Sequence, residues 1–141
     1  MAQSPLPIMK TPPLIALCGW LVPGSGYVVL GHTARGLTVG ITIIVLFVLG
    51  LLIGGVRVVD PPPNFLADPV RAAINKPWFA AQLLTGPIAV VAAAAGRNEA
   101  FVASHARVNE IGTLYTAIAG ALNLLSIIDS SWRAGRKETS P

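Results

Sequence analysis

Four long runs without a charged residue follow one another along the chain and are separated by short polar segments. Each run has 18 to 21 residues, and about 20 helical residues at about 1.5 Å each cross a bilayer core of about 30 Å. The pattern therefore predicts an all-α fold, an integral membrane helical bundle of four transmembrane helices. We place the spans at about residues 14–30, 37–56, 78–95 and 111–128.

Composition supports lipid rather than water as the solvent of these runs. Of the 141 residues, 53% are hydrophobic and 11% are charged, whereas a soluble domain carries about 25% charged residues. A water-soluble fold of this size would have too little polar surface to cover itself. We expect one transmembrane domain over residues 14–132, between a flexible tail (1–13) and a basic tail (133–141).

Two of the runs carry a helix-breaking pair near the middle. Pro23-Gly24, with Gly26 beyond it, interrupts the first run, and Gly86-Pro87 interrupts the third. Proline removes a backbone donor and clashes with the carbonyl one turn earlier, and in hydrocarbon the freed groups need partners from protein or water. We predict kinks at Pro23 and Pro87. The alternative for the first run is a broken or re-entrant segment whose glycine-rich break packs on another helix.

Small residues recur at spacings of four in the second run, which lets another backbone approach one helix face. The pairs are Gly36 with Gly40 and Gly50 with Gly54; Gly120 shares a face of the fourth run with Gly112, Thr116 and Asn123. Gln82 and Asn123 are the amides at membrane depth, and each needs a hydrogen-bond partner there. We predict that they face the bundle interior as candidate partners of each other.

The ends of the runs carry residues that suit the membrane–water interface. Arg35 can reach phosphate headgroups, and tryptophans prefer this depth. Asp129 follows the fourth run and is four residues before Arg133, so we expect an ion pair there. The interfacial set is His32, Arg35, Trp78, Asp129 and Trp132.

Two polar connections have helical signatures of their own. Asp68-Pro69 has the form of an N-cap followed by proline at the first helical position, which predicts a brief surface helix. In the connection 97–110, Phe101, Val102, His105 and Val108 share one face at helical spacing. This second segment is also predicted to lie at the surface.

Motifs for catalysis or cofactor binding are missing from the chain. It has no phosphate loop, no His-Glu-x-x-His and no Gly-x-Ser-x-Gly, and the predicted spans contain no charged residue. Cys18 is the single cysteine, which excludes an internal disulfide. We therefore expect no enzyme activity, no metal and no cofactor; His32 or His105 as a tetrapyrrole or metal ligand is the disfavoured alternative.

The excess of basic residues sets the expected orientation. The net charge is +4, but no basic patch with interleaved aromatic residues exists, which argues against nucleic acid as a partner. With four spans, seven basic residues lie on the side of the termini and three on the other. Since basic residues mark the cytoplasmic side, we expect both termini in the cytoplasm and the chain in the bacterial inner membrane.

The segment Pro23-Gly24-x-Gly26 followed by Leu30-Gly31-x-x-x-Arg35-Gly36 and an apolar helix resembles the TM-two domain family and its bacterial relatives of unknown function. The resemblance implies a hairpin of two membrane helices and no catalytic chemistry. It covers residues 14–57 and 117–132, where Ile127-Ile128-Asp129 matches the family's ending. The chain departs from the pattern by inserting residues 57–110 and by carrying Val29 where the family shows an aromatic residue.

Two kinds of function are compatible with these features. Small-residue faces and buried amides favour a non-catalytic protein that acts by helix packing, as a scaffold or accessory subunit of a larger membrane complex such as a respiratory or photosynthetic one. Its partners would be the bilayer and other membrane subunits, or further copies of itself. The alternative is a small channel or carrier that uses the broken helices at Pro23-Gly24 and Gly86-Pro87 near the midplane.

Overall fold

The computed structural model describes residues 11–63, 65, 67–97 and 106–138. Within these residues the chain forms seven α-helices and one short 3₁₀ helix, Val56–Val58, and no strand. The α-helices are α1 (Pro12–Leu21), α2 (Ser25–Val29), α3 (Thr33–Gly54), α4 (Pro69–Asn75), α5 (Pro77–Leu83), α6 (Pro87–Gly96) and α7 (Ala106–Glu138). The all-helical fold class is confirmed.

Two of these helices, α3 and residues 107–136 of α7, are long and apolar enough to cross a membrane. Only 28% and 33% of their most apolar 18-residue windows are buried within the molecule. Both helices therefore present much of their apolar surface to the surroundings, unlike the core helices of a water-soluble protein. Four spans are not confirmed.

The first apolar run is divided rather than kinked. Because Pro23 has no N–H and Gly24 adopts φ 83°, α1 ends at Leu21 and the chain reverses before α2 begins. Gly19 packs against Ile127 of α7, and Gly26 packs against Ser130, nearer the C-terminal end of that helix. α1 and α2 therefore form a hairpin, which is the broken-segment alternative rather than the kinked helix.

The third run is divided in the same way, whereas the sequence predicted only a kink at Pro87. Here α5 ends at Leu83, Gly86 adopts φ 95° and α6 begins at Pro87. A proline at the first helical position loses no hydrogen bond, so α6 starts in a new direction without cost. At its far end, Gly96 lies beside Val56 and Arg57, near the start of α7. We call α1 with α2 the first hairpin and α5 with α6 the second hairpin.

The two hairpins enter the molecule from opposite ends. The long helices run antiparallel, since Gly54 at the end of α3 lies against Gly112 near the start of α7. Each is preceded by its own hairpin, so the order short helix, short helix, long helix occurs twice with opposite direction. The hairpin tips point toward each other and meet beside the middle of α7.

The largest core cluster fills the space between the second hairpin and α3. Phe47 of α3, Phe79 of α5, Ala89 of α6 and Ala119 of α7 are buried in it. Small alanines let the short helices pack closely on the two phenylalanines. A second cluster of Ile15, Leu30 and Ala134 closes the opposite end.

The element ends refine three sequence-based expectations. Pro12 and Pro13 lie in the first turn of α1 rather than in a tail, since proline is tolerated there. At the other terminus α7 continues to Glu138, so Asp129 lies within a helix and not at its end. The brief helix after Asp68 is confirmed as α4, and its N-cap carboxylate accepts a hydrogen bond from the Arg71 N–H at 3.1 Å. The other expected surface segment lies largely in residues 98–105, outside the described residues.

Candidate functional site

The most distinctive site is the junction where both hairpin tips contact Asn123 of α7. The amide Nδ2 donates to the carbonyl oxygen of Gly19 at 3.2 Å and to that of Leu84 at 2.9 Å. Gly19 lies in the last turn of α1 and Leu84 is the C-cap of α5, positions where the helix supplies no partner for the carbonyl. One fully buried side chain therefore joins three separate segments.

Gln82 of α5, in the second hairpin, is a second buried amide. Gln82 donates from Nε2 to Thr116 Oγ1 at 2.8 Å and to the carbonyl oxygen of Val58 at 3.3 Å. The predicted interior position of Gln82 and Asn123 is confirmed, because both side chains are 0% exposed. Their predicted pairing with each other is wrong, since Asn123 donates to the backbone carbonyls of Gly19 and Leu84 instead.

Three oxygen atoms in this region are buried without a hydrogen-bond partner in the described part of the chain: Gln82 Oε1, Thr85 Oγ1 and Asn123 Oδ1. Buried side-chain acceptors are normally satisfied, and each unpaired one costs about 1–3 kcal/mol. Such atoms need an explanation, and a functional site is one that fits. All three are uncharged, so the junction offers acceptors without a fixed charge.

The tips are held in close backbone contact by glycines. Gly86 packs directly on the carbonyl oxygen of Trp20, and Gly120 of α7 packs on that of Ala81; a Cβ at either position would overlap the oxygen. The Trp20 side chain adds a direct link, donating from Nε1 to the carbonyl oxygen of Leu83 at 3.2 Å. The two hairpins are thus bound to each other as well as to α7.

The chain reversal of the first hairpin, at Pro23 and Gly24, packs on α3 at Gly36 and Gly40. Gly24 packs against the backbone of both, and a Cβ at Gly40 would lie 2.5 Å from the carbonyl oxygen of Pro23. The other predicted pair, Gly50 with Gly54, packs on Gly112 of α7. The close backbone approaches predicted from the small-residue spacing are present, and they occur within this chain.

Polar side chains at the end near both termini form a connected group. The Tyr27 hydroxyl donates to Asp129 Oδ2 at 2.8 Å, and Arg133 Nε donates to the same oxygen at 2.8 Å. This is the predicted Asp129–Arg133 ion pair. The Arg35 guanidinium lies 5.8 Å from the centre of the Tyr27 ring, a cation–π distance. The group fastens the first hairpin to α7.

The remaining interfacial candidates lie apart from the junction. His32 is exposed and precedes α3 as its N-cap, without a side-chain capping bond. Trp78 and Trp132 are exposed at opposite ends of the fold, and Arg136 stacks over the Trp132 ring at 5.6 Å. Among the described residues no three His, Cys, Asp or Glu side chains form a group that could hold a metal ion. His105 lies outside the described residues.

The sequence indicated some members of the junction and missed others. The face Gly112, Thr116, Gly120 and Asn123 is buried as its spacing suggested. Trp20, Gly19 and Thr85 were not singled out, because their roles depend on where the two chain reversals meet. A threonine next to a predicted helix break is the one local signal that pointed to Thr85.

Comparison with known proteins gives one match. The model of a protein family described as a family of unknown function (DUF6677) matches residues 14–139. No curated protein and no solved structure matches the chain significantly.

Proposed function

The chain belongs to DUF6677, a family of unknown function, and we propose that it is a non-catalytic integral membrane protein that acts as a small channel or carrier. One observation carries this proposal: two broken helices from opposite ends meet at Asn123, in a region where three buried oxygens have no hydrogen-bond partner among the described residues. Of the two roles that the sequence allows, this one makes use of the junction.

Support for the membrane location comes from the surface of α3. Leu37, Ile41, Ile44, Val48 and Leu52 are between 39% and 75% exposed along this helix. A soluble monomer rarely exposes a continuous apolar stripe of this length, whereas lipid covers it without cost. The bacterial inner membrane stays our proposed location.

The dimensions of the hairpins fit half of a bilayer. The ten residues of α1 extend about 15 Å, half of a core of about 30 Å. Irregular backbone at that depth is tolerated only where protein or a water-filled cavity surrounds it. In the junction the Gly19, Leu83 and Leu84 carbonyls accept bonds from Asn123 and Trp20 side chains, so this condition is met.

Broken helices that meet near the midplane are the device by which many transporters present helix ends to a solute. The amide and hydroxyl oxygens that lack a partner among the described residues are neutral acceptors, and the carbonyls of Gly19 and Leu84 at the helix ends each keep a second lone pair beside their bond from Asn123. Such a set of acceptors suits a monovalent cation that has lost part of its water, or a small solute rich in hydrogen-bond donors. Because Gly86 lies on the Trp20 carbonyl, passage requires that the tips separate.

A scaffold or accessory subunit of a larger membrane complex is the second candidate. The observation in its favour is the exposed apolar face of α3, which could contact another membrane subunit or a second copy. The small-residue spacing that suggested this role supports it less, because the glycine pairs of α3 contact the first hairpin and α7. These glycines are therefore not available to a partner protein.

The proposed arrangement changes the argument about orientation. If only α3 and α7 cross, both termini still lie on one side. The ten basic residues then divide equally, with five on the side of the termini (Lys10, Arg35, Arg133, Arg136, Lys137) and five on the other (Arg57, Arg71, Lys76, Arg97, Arg107). The charge count then favours neither orientation, and cytoplasmic termini stay a proposal.

The resemblance of residues 14–57 to the TM-two domain family likewise stays a proposal. If the resemblance holds, the first of the two family helices corresponds to the divided first hairpin of this chain.

Flux measurements on the purified protein in liposomes test the transport role. We expect Na⁺, K⁺ or glycerol to pass faster than through protein-free liposomes. Thr85→Val removes an unpartnered oxygen while keeping the side-chain shape, so it should change the rate or the ion preference several-fold without unfolding the protein. Thr42→Val, on the exposed face of α3, is the matched control.

The two candidates give opposite results in this experiment. Absence of flux for all three solutes would reject the channel or carrier. Stoichiometric partners that co-purify in mild detergent would then favour the scaffold, and a clean monomer would contradict that role as well.

A further inference from the structure

A cavity of about 600 Å³ opens at the end of the molecule opposite the termini, away from the junction. It lies between the 3₁₀ helix that follows α3, the start of α5, the end of α6 and the first turns of α7. The residues that matter for its chemistry are Arg57, Asp60, Lys76, Arg97 and Asn109. We call it the basic cavity.

The basic cavity carries more positive charge than it neutralises. Lys76 Nζ pairs with Asp60 Oδ2 at 2.6 Å. Neither Arg57 nor Arg97 forms a salt bridge with a described residue, and both are exposed. Both guanidinium groups line the cavity, and their charges are available to a ligand as far as the described residues are concerned.

At the other end of the fold, three arginines with described side chains have partners within the chain. Arg133 pairs with Asp129, while Arg35 and Arg136 stack on aromatic rings. A ring contact does not neutralise a guanidinium, so the basic cavity is distinguished by placement: two arginines without an ion-pair partner among the described residues line the same cavity.

The chemistry of the donors points to a phosphate group. A guanidinium presents a planar fork of N–H donors that matches two phosphate oxygens at once. The Asn109 side chain on α7 also lines the cavity and can donate from its amide. A phosphodiester with one negative charge would be held by two arginines and a neutral donor.

The depth of the basic cavity selects the source of that phosphate. It begins within a few residues of Gly54, the last residue of α3, and Trp78 lies on its wall, 47% exposed. Tryptophan prefers the headgroup level of a bilayer, and basic pockets beside membrane helices bind anionic headgroups. We propose that the basic cavity binds the phosphate of an anionic phospholipid; this rests on the membrane location proposed above and not on the transport role.

The test uses the full chain in detergent, with bound lipid counted by native mass spectrometry and protection measured by thermal unfolding. The probes are dioleoyl phosphatidylglycerol, dioleoyl phosphatidylcholine with the same acyl chains, and inorganic phosphate. We expect retention and protection by phosphatidylglycerol alone. Arg57→Gln and Arg97→Gln should each weaken its binding about fivefold, the factor for one basic residue at an anionic surface, and the double variant about 25-fold.

The matched control is Arg71→Gln, which removes the same charge from α4, where the side chain is 85% exposed and lies outside the cavity. It should bind phosphatidylglycerol as the unchanged protein does. Circular dichroism of each variant shows whether a loss of binding reflects a loss of fold.

Three outcomes would overturn the proposal: equal binding of the two lipids, unchanged binding by the double variant, or protection by inorganic phosphate as strong as by phosphatidylglycerol. The last would assign the site to a soluble anion. A chain that stays monodisperse without detergent would reject the membrane location and this inference together, whereas a detergent-dependent chain without lipid preference would reject this inference alone.

Discussion

Asn123 donates a hydrogen bond to the carbonyl oxygen of Leu84 at 2.9 Å across 39 positions of sequence. Leu84 directly follows α5, so this carbonyl has lost its helical partner at the chain reversal. The local sequence around either residue does not predict this hydrogen bond. It fixes the tip of the second hairpin to the middle of α7 and, through the bond to Gly19, holds the first hairpin at the same place.

Asn123→Leu should lower the free energy of unfolding by about 1–3 kcal/mol, because the carbonyls of Gly19 and Leu84 lose their donor in a buried region. Unfolding in mixed micelles, followed by far-ultraviolet circular dichroism, measures the change. Asn75→Leu makes the same replacement at an exposed site of α4 and should stay within about 0.5 kcal/mol of the unchanged protein. Equal effects of the two substitutions would contradict the bridging role.

Gly120→Ala should destabilise the fold by about 1–3 kcal/mol, since the new Cβ would overlap the Ala81 carbonyl oxygen and force α5 away from α7. Gly135→Ala in the same helix is the control, because the nearest atom to its Cβ is Pro12 Cγ at 3.8 Å. That change should be neutral or stabilise by up to about 1 kcal/mol, as alanine favours helix over glycine. The same unfolding titration compares them, and a tolerated Gly120→Ala would show that the helices are farther apart.

Gly86→Ala should cost both backbone strain and steric overlap, whereas Gly55→Ala should cost backbone strain alone. Both glycines have positive φ, 95° and 80°, but a Cβ at Gly55 meets nothing within 4 Å, whereas one at Gly86 overlaps the Trp20 carbonyl. Gly55→Ala should therefore cost only the backbone strain, about 1–3 kcal/mol for a non-glycine residue at φ 80° and ψ 167°. Gly86→Ala should cost clearly more, measured by midpoint shift in denaturant. Equal costs would mean that the hairpin tips are not in contact.

Cysteine labelling separates the two-hairpin arrangement from four complete spans. In a Cys18→Ser background, Thr33→Cys and Arg136→Cys should react with an impermeant maleimide from one side of the membrane, and Ala67→Cys and Arg97→Cys from the other. All four positions are exposed. In a four-span topology Thr33 would lie opposite Arg136 and Arg97 opposite Ala67, so labelling on opposite sides within either pair would reject the hairpins.

The sequence predicted the parts of this fold that depend on local chemistry. Proline and glycine pairs mark both chain reversals, the Asp68 cap starts α4, and the spacing of Gly50 and Gly54 indicates a close helix contact. What it could not decide is whether a helix resumes in the same direction after a break. That choice depends on partners far along the chain, such as Ser130 for Gly26 and Val56 for Gly96.

The candidate site shows the same limit. The amides of Gln82 and Asn123 were expected inside because an amide in hydrocarbon needs a partner, and both are buried. Their partners are backbone carbonyls and Thr116. Helix-face periodicity treats every carbonyl as used within its helix, so it has no means of finding acceptors that exist only where a helix stops.

The first hairpin rests largely on α7, which is synthesised well after it. Its contacts with Ile127, Ser130 and Asn123 do not exist until more than ninety further residues have followed Pro23. During translation the break at Gly24 can already pack on Gly36 and Gly40 of α3, but the Gly19 carbonyl has no donor from Asn123 until α7 is present. A product truncated before Asn123 is therefore expected to lose the shared donor of both hairpin tips and, in the proposed membrane location, to leave those tips unburied.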